Sequence, residues 1–158
     1  MVNLNNKTEK IFVSVQNSDY DISKEMKKIN QFSENIGSIV TFNGIVRELT
    51  KKEKLKHLYI EHYPQMTENY IYEIAYKTFK EWNLNYLRII HRIGILLPKE
   101  NIVLVAVSSS HREDSFQACQ NIMDYLKSSV PMWKKEVFGK NQYWLEPNKK
   151  DIKKIERY

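Results

Sequence analysis

The stretch from Ser108 to Glu136 (SSSHREDSFQACQNIMDYLKSSVPMWKKE) constrains this chain most, because it contains one complete helix signal. Ser110 and Glu113 have the S-x-x-E spacing of a capping box, so Ser110 is the predicted N-cap. Pro131 marks the end of the pattern. Between these limits, apolar residues recur at the spacing of one helical face: Phe116, Cys119, Ile122, Met123, Leu126 and Val130. We therefore predict an amphipathic helix that packs against a core.

The first turn of this helix carries two cationic residues, His111 and Arg112. Cations are mildly unfavourable there, because the free backbone N–H groups make the start of a helix electropositive. The same N–H groups, together with His and Arg side chains, are well suited to bind an anion such as phosphate. A second interpretation stays open, in which Arg112 simply extends into solvent.

The other end of the helix carries Lys127 beside the apolar stripe, since it follows Phe116 by eleven residues, or about three turns. Its aliphatic stem could lie along the stripe, or its amine could pair with Asp124. Alternatively, Lys127 is partly desolvated with a lowered pKa, which is how lysines become reactive. Lys134 and Lys135 follow just beyond the helix.

Taken together, the motifs of this stretch resemble the signature of the large, catalytic subunit family of molybdopterin synthase. The matching residues here are Ser109 with His111-Arg112, then Phe116, Ala118, Ile122 to Lys127, Pro131 and Trp133 to Glu136. Further matches are GSIVTFNGIVR (37–47), EHYPQMT (61–67) and IHRIG (90–94). The resemblance covers Ile36 to Glu146, most of the chain, without large gaps.

The resemblance implies a sulfurtransferase of molybdenum cofactor biosynthesis that needs no metal or other cofactor. Its substrate would be cyclic pyranopterin monophosphate, and its product molybdopterin. Two sulfurs would come from the thiocarboxylated C-terminus of a small ubiquitin-like partner subunit. Because the partner supplies the sulfur, this chain needs no reactive cysteine.

The resemblance also implies the site residues. Lys127 would act on the partner's terminal carbonyl and the pterin side chain, and Lys134 would serve acid–base chemistry or charge stabilisation. The matching substrate-binding set comprises Arg47, His111, Arg112, Lys127, Lys134, Lys135 and Glu136. This chain departs from the family pattern at Ile45, where a lysine is common, so we assign Ile45 no substrate role.

Composition is compatible with this interpretation and argues against disulfide-rich and membrane-spanning proteins. The 158 residues suit one domain, with 1–10 and 148–158 peripheral. The single cysteine, Cys119, excludes a disulfide framework and is expected in the core. No apolar run approaches the ~18 residues of a membrane span, and MVNLNNKTEK lacks a signal-peptide core. We expect a cytoplasmic protein that does not associate with membranes.

The order of elements predicts an α+β fold of the α/β hammerhead type, with a mostly antiparallel sheet and helices on one side. The predicted strands are 11–15, 37–46 (with Gly44 as a bulge or close-approach point), 58–62, 87–95, 102–108 and 143–145. The predicted helices are 21–32, 67–83, the principal helix and a weak one over 151–157. Residues 51–56 form a charged turn.

We also consider three other classes of protein: a zinc protein, a nucleic-acid-binding module and a non-catalytic docking subunit. His62 and His91 lie in strand-like segments and are interpreted as structural histidines, and one Cys with four His gives no zinc-ligand spacing. The formal charge of +6 would permit a nucleic-acid-binding module, which needs exposed aromatics among basic residues. A non-catalytic subunit that only docks a ubiquitin-like protein is the third class. The family resemblance favours an enzyme without nucleic acid.

The two ends of the principal helix predict a homodimer. Sixteen residues separate His111 from Lys127, which amounts to about 24 Å along a helix. Side chains cannot close that distance around one small pterin, so a second copy is expected to bring its His111 and Arg112 to the Lys127 end. The resemblance implies such a dimer with one small partner at each outer end, a heterotetramer.

Overall fold

The computed structural model describes residues 9–32, 34–50 and 53–146. Three helices are present in this part of the chain: α1 (Ile22–Phe32), α2 (Met66–Glu81) and α3 (Arg112–Ser128). The strands are β1 (Ile11–Gln16), β2 (Ser38–Ile45), β3 (Leu49–Thr50), β4 (Glu53–Lys54), β5 (His57–His62), β6 (Tyr86–Arg92), β7 (Gly94–Leu96), β8 (Asn101–Ser109), β9 (Met132–Val137) and β10 (Gln142–Trp144). The predicted α+β class is confirmed, while the predicted helix over 151–157 lies outside the described residues.

The strands form two four-stranded sheets rather than one, in the orders β1-β6-β8-β2 and β10-β9-β5-β7, with a small β3-β4 hairpin. All pairs are antiparallel except β1 with β6. The predicted single strand over 87–95 is therefore wrong. Gly94 adopts a positive φ of 78° and turns the chain from the first sheet into the second.

The main core lies between the first sheet and two helices. α2 and α3 cover one face, where their apolar residues meet Leu87 and Ile89 of β6 and Val105 of β8. The expectation that all helices lie on one side is wrong, because α1 covers the opposite face. Ile29 of α1 is fully buried there against Tyr86. Helices therefore cover both faces of the first sheet. The face that α2 and α3 cover leads to the cavity at the end of α3.

Two details of α3 differ from the sequence prediction. His111, in extended conformation, is the N-cap instead of Ser110, and no side chain caps the helix. Phe116 is 62% exposed, although its spacing suggested the core. The buried face instead contains Ser115 and Ala118, which allow the helix to lie close to the sheet. Cys119 is buried as predicted, and burial raises the pKa of its thiol to about 11.

Candidate active site

A cavity of about 840 Å³ opens at the C-terminal end of α3, between the two sheets. Its floor is a row of neighbours across the first sheet, since Val103 of β8 pairs with both Gly44 and His91. Gly44 is needed for this floor, because an added Cβ would lie 2.8 Å from Val103 Cγ1. A register shift follows directly after Gly44, so both predictions for this residue are confirmed. Met123 and Leu126 of α3 contribute apolar wall.

Lys134 and Glu136 enter the cavity from β9. Alternate residues of a strand share a face, and the cross-strand neighbours of this pair, Ile60 and Leu58, are core residues. Lys134 is half-buried: burial, and then the charge of Lys127, lower the pKa of its amine. Glu136 is 5% exposed. The structure thus brings a desolvated lysine and a buried carboxyl group into one cavity.

Lys127 and Arg47 also line the cavity, and both are exposed. Lys127 lies in the last turn of α3, where the electronegative end of the helix favours a cation. Arg47 lies two residues beyond the end of β2. Because Lys127 is exposed, the alternative in which this residue is desolvated is wrong.

Lys135 is placed on the opposite face of β9. Its amine lies 5.2 Å from the ring centroid of Tyr59 and 5.0 Å from that of Trp144. These are cation–π distances, and they join β10 to the sheet. Within a single chain Lys135 does not line the cavity that contains Lys134.

The predicted anion-binding residues, His111 and Arg112, lie at the opposite end of α3 and do not line the cavity. Both are exposed. Ser110, the predicted cap, is instead bonded to Asn35, donating to its carbonyl oxygen and accepting from its amide nitrogen, each at 3.2 Å. The start of the helix thus keeps its backbone N–H groups uncapped by side chains, as an anion site requires.

A chain of serine hydroxyls supports this first turn of α3. Ser109 Oγ donates to the His111 carbonyl oxygen at 2.5 Å, so its single proton is used. It must then accept from Ser115 Oγ, 2.6 Å away, and Ser115 in turn accepts from Ser38 Oγ at 2.8 Å. Gly37 lies directly beside this turn, and a Cβ there would overlap the Ser110 carbonyl. The hydroxyl chain fixes the backbone that carries His111 and Arg112.

Sequence reasoning did not assign His91 to the site. Its side chain is 1% exposed, and Nδ1 lies 2.8 Å from the Arg92 carbonyl oxygen, so the prediction of a hydrogen-bonded histidine is confirmed. It nevertheless lines the cavity, and burial together with the Lys134 charge lowers the pKa of its imidazole to about 3. The sequence of β6 does not distinguish His91 as a site residue, because its place in the cavity depends on the pairing of β6 with β8 and of β8 with β2. His62 lies 3.6 Å from Glu68 and does not line the cavity.

Two general features of the described residues bear on function class. No group of three or more His, Cys, Asp or Glu side chains is arranged to hold a metal ion. In the same part of the chain, no helix is both long and apolar enough to cross a bilayer.

An apolar surface runs along the open edge of the first sheet. β2 is the last strand in the sheet order, and α3 packs against it. Exposed large apolar side chains lie on both elements: Phe42 (38%) and Ile45 (52%) on β2, and Phe116 (62%) on α3. Unpaired strand edges with apolar side chains are typical of interaction surfaces.

Comparison with known proteins gives consistent results. A family model described as MoaE protein matches residues 15–129. A molybdopterin synthase catalytic subunit from Vibrio cholerae is 41% identical over 146 residues, covering 92% of this chain and 97% of the relative. The solved structure of the molybdopterin biosynthesis MoaE protein from Burkholderia ambifaria is 34% identical, with a TM-score of 0.79 over 93% of this chain and 97% of that one. The fold also matches a chain in a Helicobacter pylori complex of subunits 1 and 2 of molybdopterin-converting factor, at 18% identity and a TM-score of 0.71, covering 85% and 90% of the two chains.

Proposed function

We infer, because this chain belongs to the MoaE protein family, that it is the catalytic subunit of a molybdopterin synthase. It is an enzyme of molybdenum cofactor biosynthesis that acts in sulfur transfer to make molybdopterin. The family match extends over most of the chain, and the Vibrio cholerae relative is covered almost completely.

The observation that carries the chemical proposal is the desolvated Lys134 beside Lys127 in a cavity of about 840 Å³. Because its pKa is lowered, the Lys134 amine is a stronger proton donor than an exposed lysine, which suits it to acid–base chemistry. The ammonium group of Lys127 lies at the mouth of the cavity. There it would bind the terminal carbonyl of the sulfur donor and stabilise developing negative charge. Arg47 would hold the substrate's anionic group and Glu136 would orient the neighbouring cations. The substrate is cyclic pyranopterin monophosphate.

The sulfur donor is proposed to be a small ubiquitin-like partner whose C-terminal tail enters the cavity as an extended chain. A thiocarboxylate must reach the bound pterin physically, and cations at the end of a groove would stabilise its charge. The Helicobacter pylori protein of the same fold occurs in a complex of two subunits, which supports such an arrangement. Cross-linking that places the partner's C-terminus far from Lys127 and Lys134 would contradict it.

The active site is proposed to be shared between two copies of this chain. The cavity contains the lysines, whereas His111 and Arg112 lie about 24 Å away along the helix axis and face solvent. A two-fold dimer through β2 and α3 would cover Phe42, Ile45 and Phe116 and bring the start of one α3 toward the end of the other. With one partner subunit bound to each copy of this chain, the dimer becomes a heterotetramer. Lys135, which lies outside the cavity in one chain, would contact substrate only if the second copy approaches that face.

Reconstitution tests the proposed reaction directly. The purified chain is incubated with cyclic pyranopterin monophosphate and the thiocarboxylated partner, and molybdopterin is measured by fluorescence of its oxidised derivative. We expect product with the thiocarboxylated partner and none with the same partner bearing an ordinary C-terminal carboxylate. Absence of product, under conditions in which an authentic synthase is active, would contradict the proposal. Salt-dependent binding to generic RNA or DNA without product would favour the nucleic-acid module instead.

The compartment also remains a proposal. A cytoplasmic location fits an enzyme whose single cysteine is a buried thiol. Cell fractionation with antibody detection would test it, and recovery of the protein in a membrane or exported fraction would contradict it.

A further inference from the structure

His91 is a polar residue in a position where packing alone would select an apolar one. Residues 87, 89 and 91 share one face of β6, and Leu87 and Ile89 are fully buried against α2 and α3. His91 continues this face and is equally buried, yet it lies where α3 ends and the cavity begins. A buried imidazole is costly unless its nitrogens are hydrogen-bonded. The hydrogen bond that the described structure shows for this side chain is made by Nδ1, and the residue lines the cavity.

The bonded nitrogen fixes the tautomer. The Arg92 carbonyl oxygen can only accept, so Nδ1 of His91, 2.8 Å away, carries the proton. Nε2 of a neutral imidazole is then a lone-pair acceptor. The backbone at this point is held firmly, because the Arg92 guanidinium donates to the carbonyl oxygens of Asn17 and Asn101 at 3.1–3.2 Å. The carbonyl that sets the tautomer therefore has little freedom to move.

The surroundings keep His91 neutral. The pKa of its imidazole is lowered to about 3, first by burial and then by the positive charge of Lys134, with a further contribution from His62. The Arg92 hydrogen bond acts in the opposite direction and is weaker. Lys134, which lines the same cavity, presents an amine that can only donate when protonated. A fixed acceptor and a desolvated donor thus line the same cavity, although the described structure has no hydrogen bond between them.

We propose that, when substrate occupies the cavity, Nε2 of His91 accepts a hydrogen bond from the Lys134 amine and holds the amine toward the substrate, which makes His91 a positioning residue for sulfur transfer. The inference rests on the proposed function, since the Lys134 amine must act on the substrate for its orientation to affect turnover. His91 itself need not change its protonation state during the reaction. A fixed neutral acceptor orients a cation without cancelling its charge, whereas a carboxylate at the same position would do both.

Two substitutions separate the nitrogens of His91. In His91→Asn the amide N–H can replace Nδ1 as donor to the Arg92 carbonyl, but nothing replaces Nε2. In His91→Gln the longer side chain places an amide oxygen near the former Nε2 position and loses the Nδ1 contact. We expect His91→Asn to lower kcat roughly 10- to 100-fold with little change in KM, as for loss of a hydrogen bond to a charged group. His91→Gln should retain most of the activity.

The outcomes distinguish this inference from the proposed function. Wild-type protein that makes no molybdopterin contradicts the proposed function, whereas the variants are compared only after wild-type turnover is established. Equal losses in both variants, or retained kcat in His91→Asn, would overturn the positioning role. In a Lys134→Ala background, the Asn substitution should cause no further loss of residual kcat, and an additional loss of the same size would also overturn it.

A measurement on the wild-type chain is independent of variant folding. The 15N chemical shifts of the His91 ring report which nitrogen carries the proton. We expect a protonated Nδ1 and an unprotonated Nε2 across neutral pH. A protonated Nε2 would leave no acceptor for Lys134 and would overturn the proposal.

Discussion

The first and last turns of α3 both carry cationic side chains, and the two are built in different ways. At the last turn, Lys127 stands at the mouth of a cavity, and Lys134 is desolvated inside it. At the first turn, His111 and Arg112 extend from an uncapped helix start into solvent, with only their backbone held by serine hydroxyls. The last turn has a cavity suited to chemistry, and the first has anion donors without a cavity. Under the proposed shared site, one chain therefore contributes two halves of a site at opposite ends of a helix.

The largest effect is expected at the cavity end. Lys134→Ala should lower kcat by roughly 10²–10³-fold, as for loss of one charge-stabilising group, while the melting temperature changes little. Lys80→Ala is the control, because this exposed lysine lies in the last turn of α2 and does not line the cavity. Steady-state kinetics and calorimetry of both variants provide the measurement. Near wild-type turnover of Lys134→Ala would contradict its catalytic assignment.

A smaller effect is expected at the start of the helix. Arg112→Ala should raise KM for cyclic pyranopterin monophosphate by roughly 10- to 100-fold, since a hydrogen-bonded charge contact to an anion is lost. Arg112→Lys, which keeps the charge but not the bidentate geometry, should fall between wild type and Arg112→Ala. An unchanged KM in Arg112→Ala would favour the interpretation in which this side chain only extends into solvent.

The serine hydroxyl chain should also affect substrate binding, but less. Ser115→Ala removes the middle hydroxyl, so Ser38 loses its shortest hydrogen bond and Ser109 loses the donor to its Oγ. We expect a loss of about 1–3 kcal/mol in the free energy of unfolding, accompanied by a modest rise in KM. Denaturant unfolding and steady-state kinetics measure the two effects. A stability loss with unchanged KM would show that the hydroxyl chain supports the fold without positioning His111 and Arg112.

The smallest effect is a dependence of stability on pH that arises from His91. Its pKa is about 3 in the folded chain and 6.5 ordinarily, so the unfolded chain binds more protons between these values. The stability that His91 contributes is complete above pH 6.5 and is lost as the pH falls toward 3, by at most about 1.4 kcal/mol per pH unit. His91→Gln should flatten the acid limb of unfolding free energy against pH. An identical acid limb in both proteins would contradict a buried, neutral His91.

Much of the cavity end could be predicted from the sequence, because its residues lie in one continuous stretch. Helical spacing located α3 and its buried Cys119, and the motif resemblance pointed to Lys127 and Lys134. Strand alternation then separates Lys134 from Lys135, which a motif comparison alone does not do. The sequence left open whether Lys127 is desolvated and did not single out Lys134, because burial depends on what packs over a side chain and not on its position on a helical wheel.

Features assembled from distant segments could not be predicted. The cavity floor joins Gly44, His91 and Val103, which no spacing rule relates. The support of the first turn joins Ser38 to Ser109 and Ser115. Phe116 was assigned to the core because an apolar residue at helical spacing has the same pattern whether it faces a core or a second subunit.

Subunit complementation tests the shared site most directly. Arg112→Ala and Lys127→Ala chains are mixed, and subunit exchange is verified by native mass spectrometry. Activity is measured at a substrate concentration far below the raised KM of the Arg112→Ala chain, so that each variant alone is nearly inactive. A shared site leaves one intact site in each mixed dimer, so activity should recover to roughly half of wild type per heterodimer. Mixing Lys127→Ala with Lys134→Ala is the control, because both substitutions affect the same end of α3 and no intact site can form. Recovery only in the first mixture is the predicted result, and no recovery despite proven exchange would contradict the shared site.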